Sequence, residues 1–419
     1  MTDDSVEVVV QIAGEDVPAG RMWAHHARGS QSATFAYHDA YLQRTDAYAL
    51  DPALPLTSGQ QQTPVGRALF AAFSDVAPDG WGRRLLRRSE KLEAREHHRN
   101  ERDVAEIDYL LGVRDDLRQG AVRFRRDDED GFLGHEREGI PHLVDLPRLL
   151  AASEQLERDK ASAEDLRLLL EGGSSLGGAR PKAHVGDRDG RLGIAKFPAP
   201  QGDDWDVIAW EAVALSLARD AGITVPEFEL HRIASRPVLV VRRFDRGAAG
   251  RIGYVSAMTL LEARDGEGSS YVEIAEAVEE YSPTAGTDLA ELWRRAVFGI
   301  LISNTDDHLR NHGFLRSTTA GWSLSPAFDL NPNPRRREFS TTLSGGQARN
   351  SIAGALDIAP VFRLTSEGAR AVLQQVSDAT SRWRETAKLM GISADSIEEL
   401  ASAFEHEQAE AVRELTGVR

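Results

Sequence analysis

"SNTDDHLRNHG", residues 303–313, crowds Asp306, Asp307, His308, Asn311 and His312 into one short polar stretch directly after the apolar run 296–302. Upstream, Leu289, Leu292, Trp293, Ala296, Val297, Ile300 and Leu301 recur at helical spacing, with Thr287 or Asp288 available as a cap. That pattern predicts a buried helix whose job is to hold the polar stretch. Three readings compete for the stretch itself: a solvated loop, a metal cage, or the edge of an active site. Asp307 and His308, taken singly, read as residues that stabilise the loop by hydrogen bonds.

The bulk composition narrows the field. The 419 residues can bury at least one large core and suggest two or three structural units. Hydrophobic content of 41% and charged content of 28% are those of an ordinary folded protein. A formal charge of −16 disfavours broad nucleic-acid binding, leaving only local basic stretches such as residues 83–99 to touch a polyanion. The absence of cysteine excludes a disulfide scaffold and thiolate metal sites. Asp3 and Asp4 give no basic start to a leader, and residues 296–302 are too short to span a bilayer. A cytoplasmic protein with no membrane contact is expected.

Working outward along the chain, "VEVVVQI" (6–12) reads as a strand, with Gly14, Glu15 and Asp16 as the turn into the next. "PDGWGRRLLRRSEKLEAREHHRN" shifts to a helical register, and "RRDDEDGFLGHEREGIP" (125–141) reads as a linker or exposed loop. After Pro147 come a helix, a glycine-rich turn at 172–178, a strand at "RLGIAKFP", a helix over 205–220 and a strand at "RPVLVVRRF". Asp203 or Asp204 would cap that helix, and Gly222 would close it in the left-handed conformation. Residues 365–415 read as amphipathic helices serving as scaffold. Three parts follow: a β-rich portion (1–135), a portion with the glycine-rich turn and a candidate hinge (136–245), and a helical portion (246–419).

The glycine-rich turn Gly172-Gly173-Ser174-Ser175-Leu176-Gly177-Gly178 is a weak signal alone. It is not a Walker loop, because Ala179 follows Gly178, and it lacks the dinucleotide-binding spacing. What remains is a backbone able to lie over phosphates and donate amide hydrogen bonds. Lys196, in the apolar strand "IAKF", needs an anion, and Glu211 in the next helix supplies one. A strand lysine joined to a helix glutamate is how protein kinases position ATP phosphates. Lys182 is a second candidate phosphate contact.

Asp306 and Asn311 are five apart, the interval between the catalytic aspartate and the metal-binding asparagine of the protein-kinase signature. A carboxylate can orient a hydroxyl and accept its proton, and an amide oxygen suits Mg²⁺ without adding charge beside a triphosphate. Asp329 in "SPAFDLNP" is the natural further metal ligand, with Leu330 and Asn331 where kinases carry Phe-Gly. In "VVRRFDR" (240–246), backbone groups near Arg242 to Phe244 would read adenine and Phe244 would line its pocket. His184 and His231 carry no reading of their own. A dinuclear hydrolase is the nearest chemical rival, though His308 and His312 lack a downstream His-rich segment.

These residues together resemble the HipA family of bacterial serine/threonine kinases, the toxins of toxin–antitoxin pairs. The resemblance rests on "SDVAPDGWGRRLL", "SSLGGARPK", "IAKFP", the helix with Glu211, "RRFDR", "NTDDHLRN" and "SPAFDLNP", in the family's order over most of the chain. It implies an α+β, two-lobed protein-kinase-like fold, β-rich at its N-terminal end and mostly helical in its C-terminal lobe, using ATP and Mg²⁺. It implies phosphate contacts from Lys196 and the loop around Gly177 and Gly178, Asp306 as base, and metal at Asn311 and Asp329. It further implies autophosphorylation of Ser175; a phosphate there adds about −1.5 to −2 charge where ATP phosphates should dock, and so inactivates. The implied partners are a HipB-like helix-turn-helix antitoxin, DNA through that antitoxin only, and a protein substrate such as an aminoacyl-tRNA synthetase. Arg242 stands where family members often carry Glu. Arg335 to Arg337 are expected to help dock substrate. The rival readings are a noncatalytic partner bridging antitoxin and DNA, and a small-molecule phosphotransferase or metal-dependent phosphohydrolase.

Overall fold

The computed structural model describes residues 4–27, 30–126, 131–134, 139–173, 178–199, 203–318, 320–346 and 349–416. The chain divides into two compact units, one of Met1–Gly202 with Arg242–Val255, the other of Asp203–Val241 with Ser256–Arg419.

In the first unit, β1 (Asp4–Ile12) turns into β2 (Glu15–Ala27) through Ala13 and Gly14, at φ +49° and +87°. Two consecutive positive φ values match the twist of a tight hairpin, so the turn sits one residue earlier than the sequence suggested and Glu15 and Asp16 already belong to β2. With β3 (Ser30–Tyr37), β4 (Gln60–Gln62) and β5 (Val122–Arg125) they form an antiparallel sheet in the order β4-β3-β2-β1-β5. A register shift between Val8 and Val9 explains why consecutive valines are all buried instead of alternating. Against the sheet, Phe35, Phe70, Phe73 and Phe124 pack edge to face with ring centroids 5.8–6.5 Å apart.

The charged helical register is α1 (Gly80–Glu96), capped by Asp79, whose carboxylate accepts from the Gly80 amide. Three of its arginines are committed to carboxylates: Arg83 binds Glu106 at 2.6 Å, Arg84 binds Glu157 at 2.8 Å, and Arg88 pairs with Asp159. Arg99 and Arg102, beyond it, both reach back to Glu90. Part of the positive charge that the sequence places in residues 83–99 is therefore neutralised within the chain. Next come α2 (Leu146–Glu157) and α3 (Ala163–Glu171), and then the hairpin β6 (Lys182–Gly186) and β7 (Leu192–Lys196).

"RRFDR" returns to this unit and is mostly structural. Asp245 is buried, accepting from the Gly120 amide at 2.7 Å and from the Arg243 and Arg246 guanidinium groups. Burial alone would raise its pKa, yet the charges of Arg243 and Arg246 hold it well below the ordinary carboxylate value.

In the second unit, α4 (Val207–Asp220) is buried on nearly every face. Its cap is Asp206, which accepts from the Ala209 amide at 3.1 Å, and not Asp203 or Asp204; Asp204 pairs instead with Arg335. Gly222 takes φ +78° just past the helix end, as expected. A hairpin of β8 (Phe228–Ile233) and β9 (Arg236–Arg242) follows. Helix α5 (Tyr271–Tyr281) leads to α6 (Ala285–Leu301), the helix expected before the polar stretch. It starts earlier than predicted: Thr284 is the N-cap position, and Asp288 lies within the first turn, accepting from Ser282 Oγ at 2.7 Å. The apolar stripe from Leu289 to Leu301 is buried, so the base of the polar stretch is fixed.

The tail is helical scaffold as read. Trp383 stacks on Phe404 with centroids 4.6 Å apart, and both pack on Trp210 of α4, next to Glu211. Among the described residues, no helix is long and apolar enough to cross a membrane.

Candidate functional site

The polar stretch leaves α6 through Ser303 at φ +51°, while the Asn304 amide donates back to Gly299 O at 2.8 Å. The next residues become a backbone spine for the segment beyond Asp329. Ser303 O accepts from the Asn333 amide at 3.1 Å, and Asn304 Oδ1 accepts from the Asn331 amide at 3.1 Å. Thr305 O accepts from the amide and the hydroxyl of Ser340, at 3.0 and 3.2 Å. Two segments more than twenty residues apart in sequence are thereby tied together, with Asp306 and Asn311 on one and Asp329 on the other.

Asp306 is exposed, with 69% of its side-chain surface accessible, and Arg336 Nη1 lies 3.6 Å from its carboxylate. Its carbonyl accepts from Asn311 Nδ2 at 3.2 Å. Because the Asn311 nitrogen is engaged, its amide oxygen is the atom offered elsewhere. Asp329 holds φ +59°, a left-handed conformation uncommon outside glycine that is best tolerated by Asp and Asn. Asn331 Nδ2 donates to Asp329 O at 3.2 Å, and its own Oδ1 is buried with no hydrogen-bond partner. Hard oxygens from Asn311 and Asp329 suit a small dication that keeps water and phosphate ligands. Among the described residues, no three imidazole or carboxylate groups are grouped so as to hold a metal.

Asp307 is the opposite of its neighbour. It is buried, accepts a hydrogen bond from the Tyr271 hydroxyl, and takes a second from His312 Nε2 at 3.2 Å. Burial pushes its carboxyl up, but the His312 imidazole and the two donors hold it below the usual range. Burial and the Asp307 charge drive the Tyr271 phenol well above its ordinary value, so it stays a donor. Asp307 is thus a loop stabiliser, whereas His308 is exposed.

In the first unit, Ser175 and Gly177 lie outside the described residues, but the segments on either side do not. Gly172 O accepts from the His184 amide at 2.7 Å and pairs with His184 Nδ1 at 2.9 Å. The His184 Nε2 meets Arg243 Nη1 at 2.9 Å, so it accepts and the Nδ1–H donates. Burial, then the charge of Arg243, holds this imidazole well below its ordinary pKa and keeps it neutral. On the far side, Gly178 at φ +93° donates its amide to Asp79 Oδ2 at 3.1 Å, and its carbonyl accepts from the Trp81 amide at 3.1 Å. Trp81 Nε1 donates to Lys182 O at 2.9 Å.

Lys182 and Lys196 face one another across the β6–β7 register. Like charges directly opposite in a hairpin destabilise it, and an anion near both relieves the repulsion. A Cβ at Gly178 would come within 2.7 Å of Lys182 Nζ, so this lysine lies against the end of the glycine-rich segment. Lys182 is buried and Lys196 half-buried. Arg242 binds Asp187 at 2.8 Å, and the Arg243 amide is bonded to Leu192 O at 3.0 Å; Phe244 is half-buried. Glu211 is a buried residue of α4 in the second unit, which also holds Asp306, Asn311 and Asp329; Lys196 belongs to the first.

Sequence reasoning missed Asp79, Trp81, His184, Tyr271 and Asn304. The PDGW run was the one available signal, since glycine and tryptophan there serve a close approach rather than the helix itself.

Comparison with known proteins identifies the family and the fold. Residues 10–105 match the HipA N-terminal domain and residues 174–407 the HipA-like C-terminal domain. A Haemophilus influenzae protein named "Putative kinase" is 22% identical over 236 residues, covering 51% of this chain and 68% of that protein. "Putative kinase Y4dM" of Sinorhizobium fredii is 29% identical over 152 residues, 33% of this chain and 36% of its own length. A chain from the solved complex of Shewanella oneidensis MR-1 HipA, HipB and operator DNA superposes with a TM-score of 0.67 at 14% identity, covering 99% of this chain and 100% of that one. The shared fold bears out the α+β, kinase-like class expected from sequence. With the C-terminal family matched over more than half of its length, the chain belongs to the HipA family.

Proposed function

We propose that this protein is an ATP-dependent serine/threonine protein kinase acting as the toxin of a toxin–antitoxin pair. The observation that carries the reading is Lys182 Nζ lying against the Gly178 end of the glycine-rich segment, with Lys196 opposite it in the β6–β7 register, so that two lysines and a glycine backbone stand where phosphates would be bound. Nucleotide phosphates fit it. Arg242 and Phe244 would face the adenine, and Glu211 would orient Lys196.

Asp306 would accept the proton of a serine or threonine hydroxyl as that oxygen attacks the γ-phosphorus. The bond from the γ-phosphorus to the bridging oxygen breaks, and ADP leaves. Mg²⁺, held by Asn311 and Asp329 with phosphate oxygens, would neutralise charge on the phosphates. The exposure of Asp306 beside the buried Asp307 supports this division of roles: one carboxylate meets the acceptor, the other fixes the loop.

Ser175 would be the autophosphorylated residue, its added charge repelling nucleotide. A HipB-like antitoxin is the expected partner because the structural relative was solved with HipB and DNA, and contact with DNA would run through that antitoxin. A translation component such as an aminoacyl-tRNA synthetase is the expected substrate.

Phosphoproteomics after brief induction tests this, comparing the chain with Asp306→Asn and Lys196→Met. New phosphoserine or phosphothreonine in a host protein, lost in both variants, is expected. Sites that persist undiminished in Asp306→Asn would remove the base assignment, and none at all in wild type would remove the kinase.

A further inference from the structure

Asn333 Oδ1 accepts from the amides of Arg335 and Arg336, at 3.0 and 2.9 Å. These bonds build a turn that presents three consecutive arginines. The turn is held at its base by the Asn333 amide on Ser303 O and by Ser340 on Thr305 O, so it is anchored to the same backbone that carries Asp306. Ser402 Oγ secures it again through Pro334 O at 2.8 Å.

The three side chains are used differently. Arg335 pairs with Asp204, and Arg337 Nη1 donates to Ser402 O at 3.3 Å. Arg336 instead points at Asp306, at 3.6 Å, beyond hydrogen-bond length. Both members are largely exposed, at 47% and 69% of side-chain surface. An ion pair of that kind in water contributes little and exchanges readily. A guanidinium fork favours a carboxylate that approaches it in two-point geometry, which Asp306 at this distance does not supply.

We propose that Arg336 reads a carboxylate beside the acceptor hydroxyl, so that this kinase favours serine or threonine flanked by Asp or Glu. This rests on Asp306 being the base. An acidic flank takes Arg336 away from Asp306 as the hydroxyl arrives, releasing the base at the moment it is needed. A basic flank meets Arg336 as a like charge and leaves the Arg336–Asp306 pair in place. Glu338, exposed in the same turn, is the acidic group nearest in sequence and sits beyond Arg337.

The test uses the full-length chain with Mg-ATP. One arm offers Ser/Thr-centred peptides with Asp/Glu, Asn/Gln or Lys/Arg flanks; the other offers phosphatase-treated lysate, with sites mapped by mass spectrometry. Wild type should favour acidic flanks about fivefold over neutral ones, the scale of one exposed ion pair. Arg336→Gln should abolish that preference and Arg336→Glu should turn it toward basic flanks, with melting temperatures unchanged because the residue is exposed. Wild-type sites without acidic enrichment overturn the proposal. So does an equal loss on every acceptor in Arg336→Gln, which would put Arg336 on the phosphates of ATP. Transfer retained by Asp306→Asn, or no transfer by wild type in either arm, counts instead against the underlying kinase reading.

Discussion

The Tyr271 hydroxyl donates to the carboxylate of Asp307, one residue after the exposed Asp306, and joins the first turn of α5 to the polar stretch. His312, next to Asn311, donates to the same oxygen. One buried carboxylate therefore ties together the residues that directly follow the two assigned to chemistry. Removing a single donor should loosen that backbone without unfolding the unit. Tyr271→Phe is expected to cost roughly 1–3 kcal/mol of stability, the price of an incompletely satisfied buried carboxylate. Its kcat should fall about tenfold with the KM for ATP nearly unchanged, because what is lost is geometry in the transition state. Steady-state kinetics and urea unfolding check this; unchanged kcat would leave the pair a purely structural contact.

His184 gives a pH dependence with a definite sign. Its folded pKa lies well below the ordinary value, from burial first and the charge of Arg243 second. The unfolded chain takes up a proton near pH 6.5 while the folded chain does not, so stability is lost as pH falls below about 6.5, by about 1.4 kcal/mol per pH unit. Arg246 and Asp245 keep their charges through this range. A His184→Gln variant has no such group to titrate. Urea midpoints at pH 7.5, 6.5 and 5.5 should fall for wild type and stay flatter for the variant; parallel curves would show that His184 is protonated in the fold.

Much of this was legible before any coordinates. The stripe from Leu289 to Leu301 announced a buried helix because 3.6-residue spacing is a property of sequence alone. The Asp306–Asn311 interval is equally local. What could not be read is anything that depends on two distant segments meeting. His184 sits in a short apolar strand and has no local feature to mark it; only the return of Arg243 and the carbonyl of Gly172 give it a role. The caps failed for a related reason: several Asp and Thr residues stood in range, and tertiary pairing, such as Asp204 with Arg335, decided which was left to cap. The basic surface of α1 is reduced in the same way, Arg83, Arg84 and Arg88 each being matched by a carboxylate beyond the helix.

Asp79 joins two jobs that sequence would assign to different residues: Oδ1 caps α1 and Oδ2 holds the Gly178 amide. The two can be separated by substitution. In Asp79→Ser the hydroxyl still caps the helix, but its single oxygen cannot also reach Gly178, so the fold should be kept while the end of the glycine-rich segment is released. The KM for ATP should rise by about three- to tenfold, with stability within about 0.5 kcal/mol of wild type. In Asp79→Ala both jobs are lost, and about 1 kcal/mol of stability should go as well. Thermal unfolding and ATP titration of the two variants side by side decide it. If Asp79→Ser binds ATP as wild type does, the Gly178 tether has no part in positioning the nucleotide, and the lysine pair acts without it.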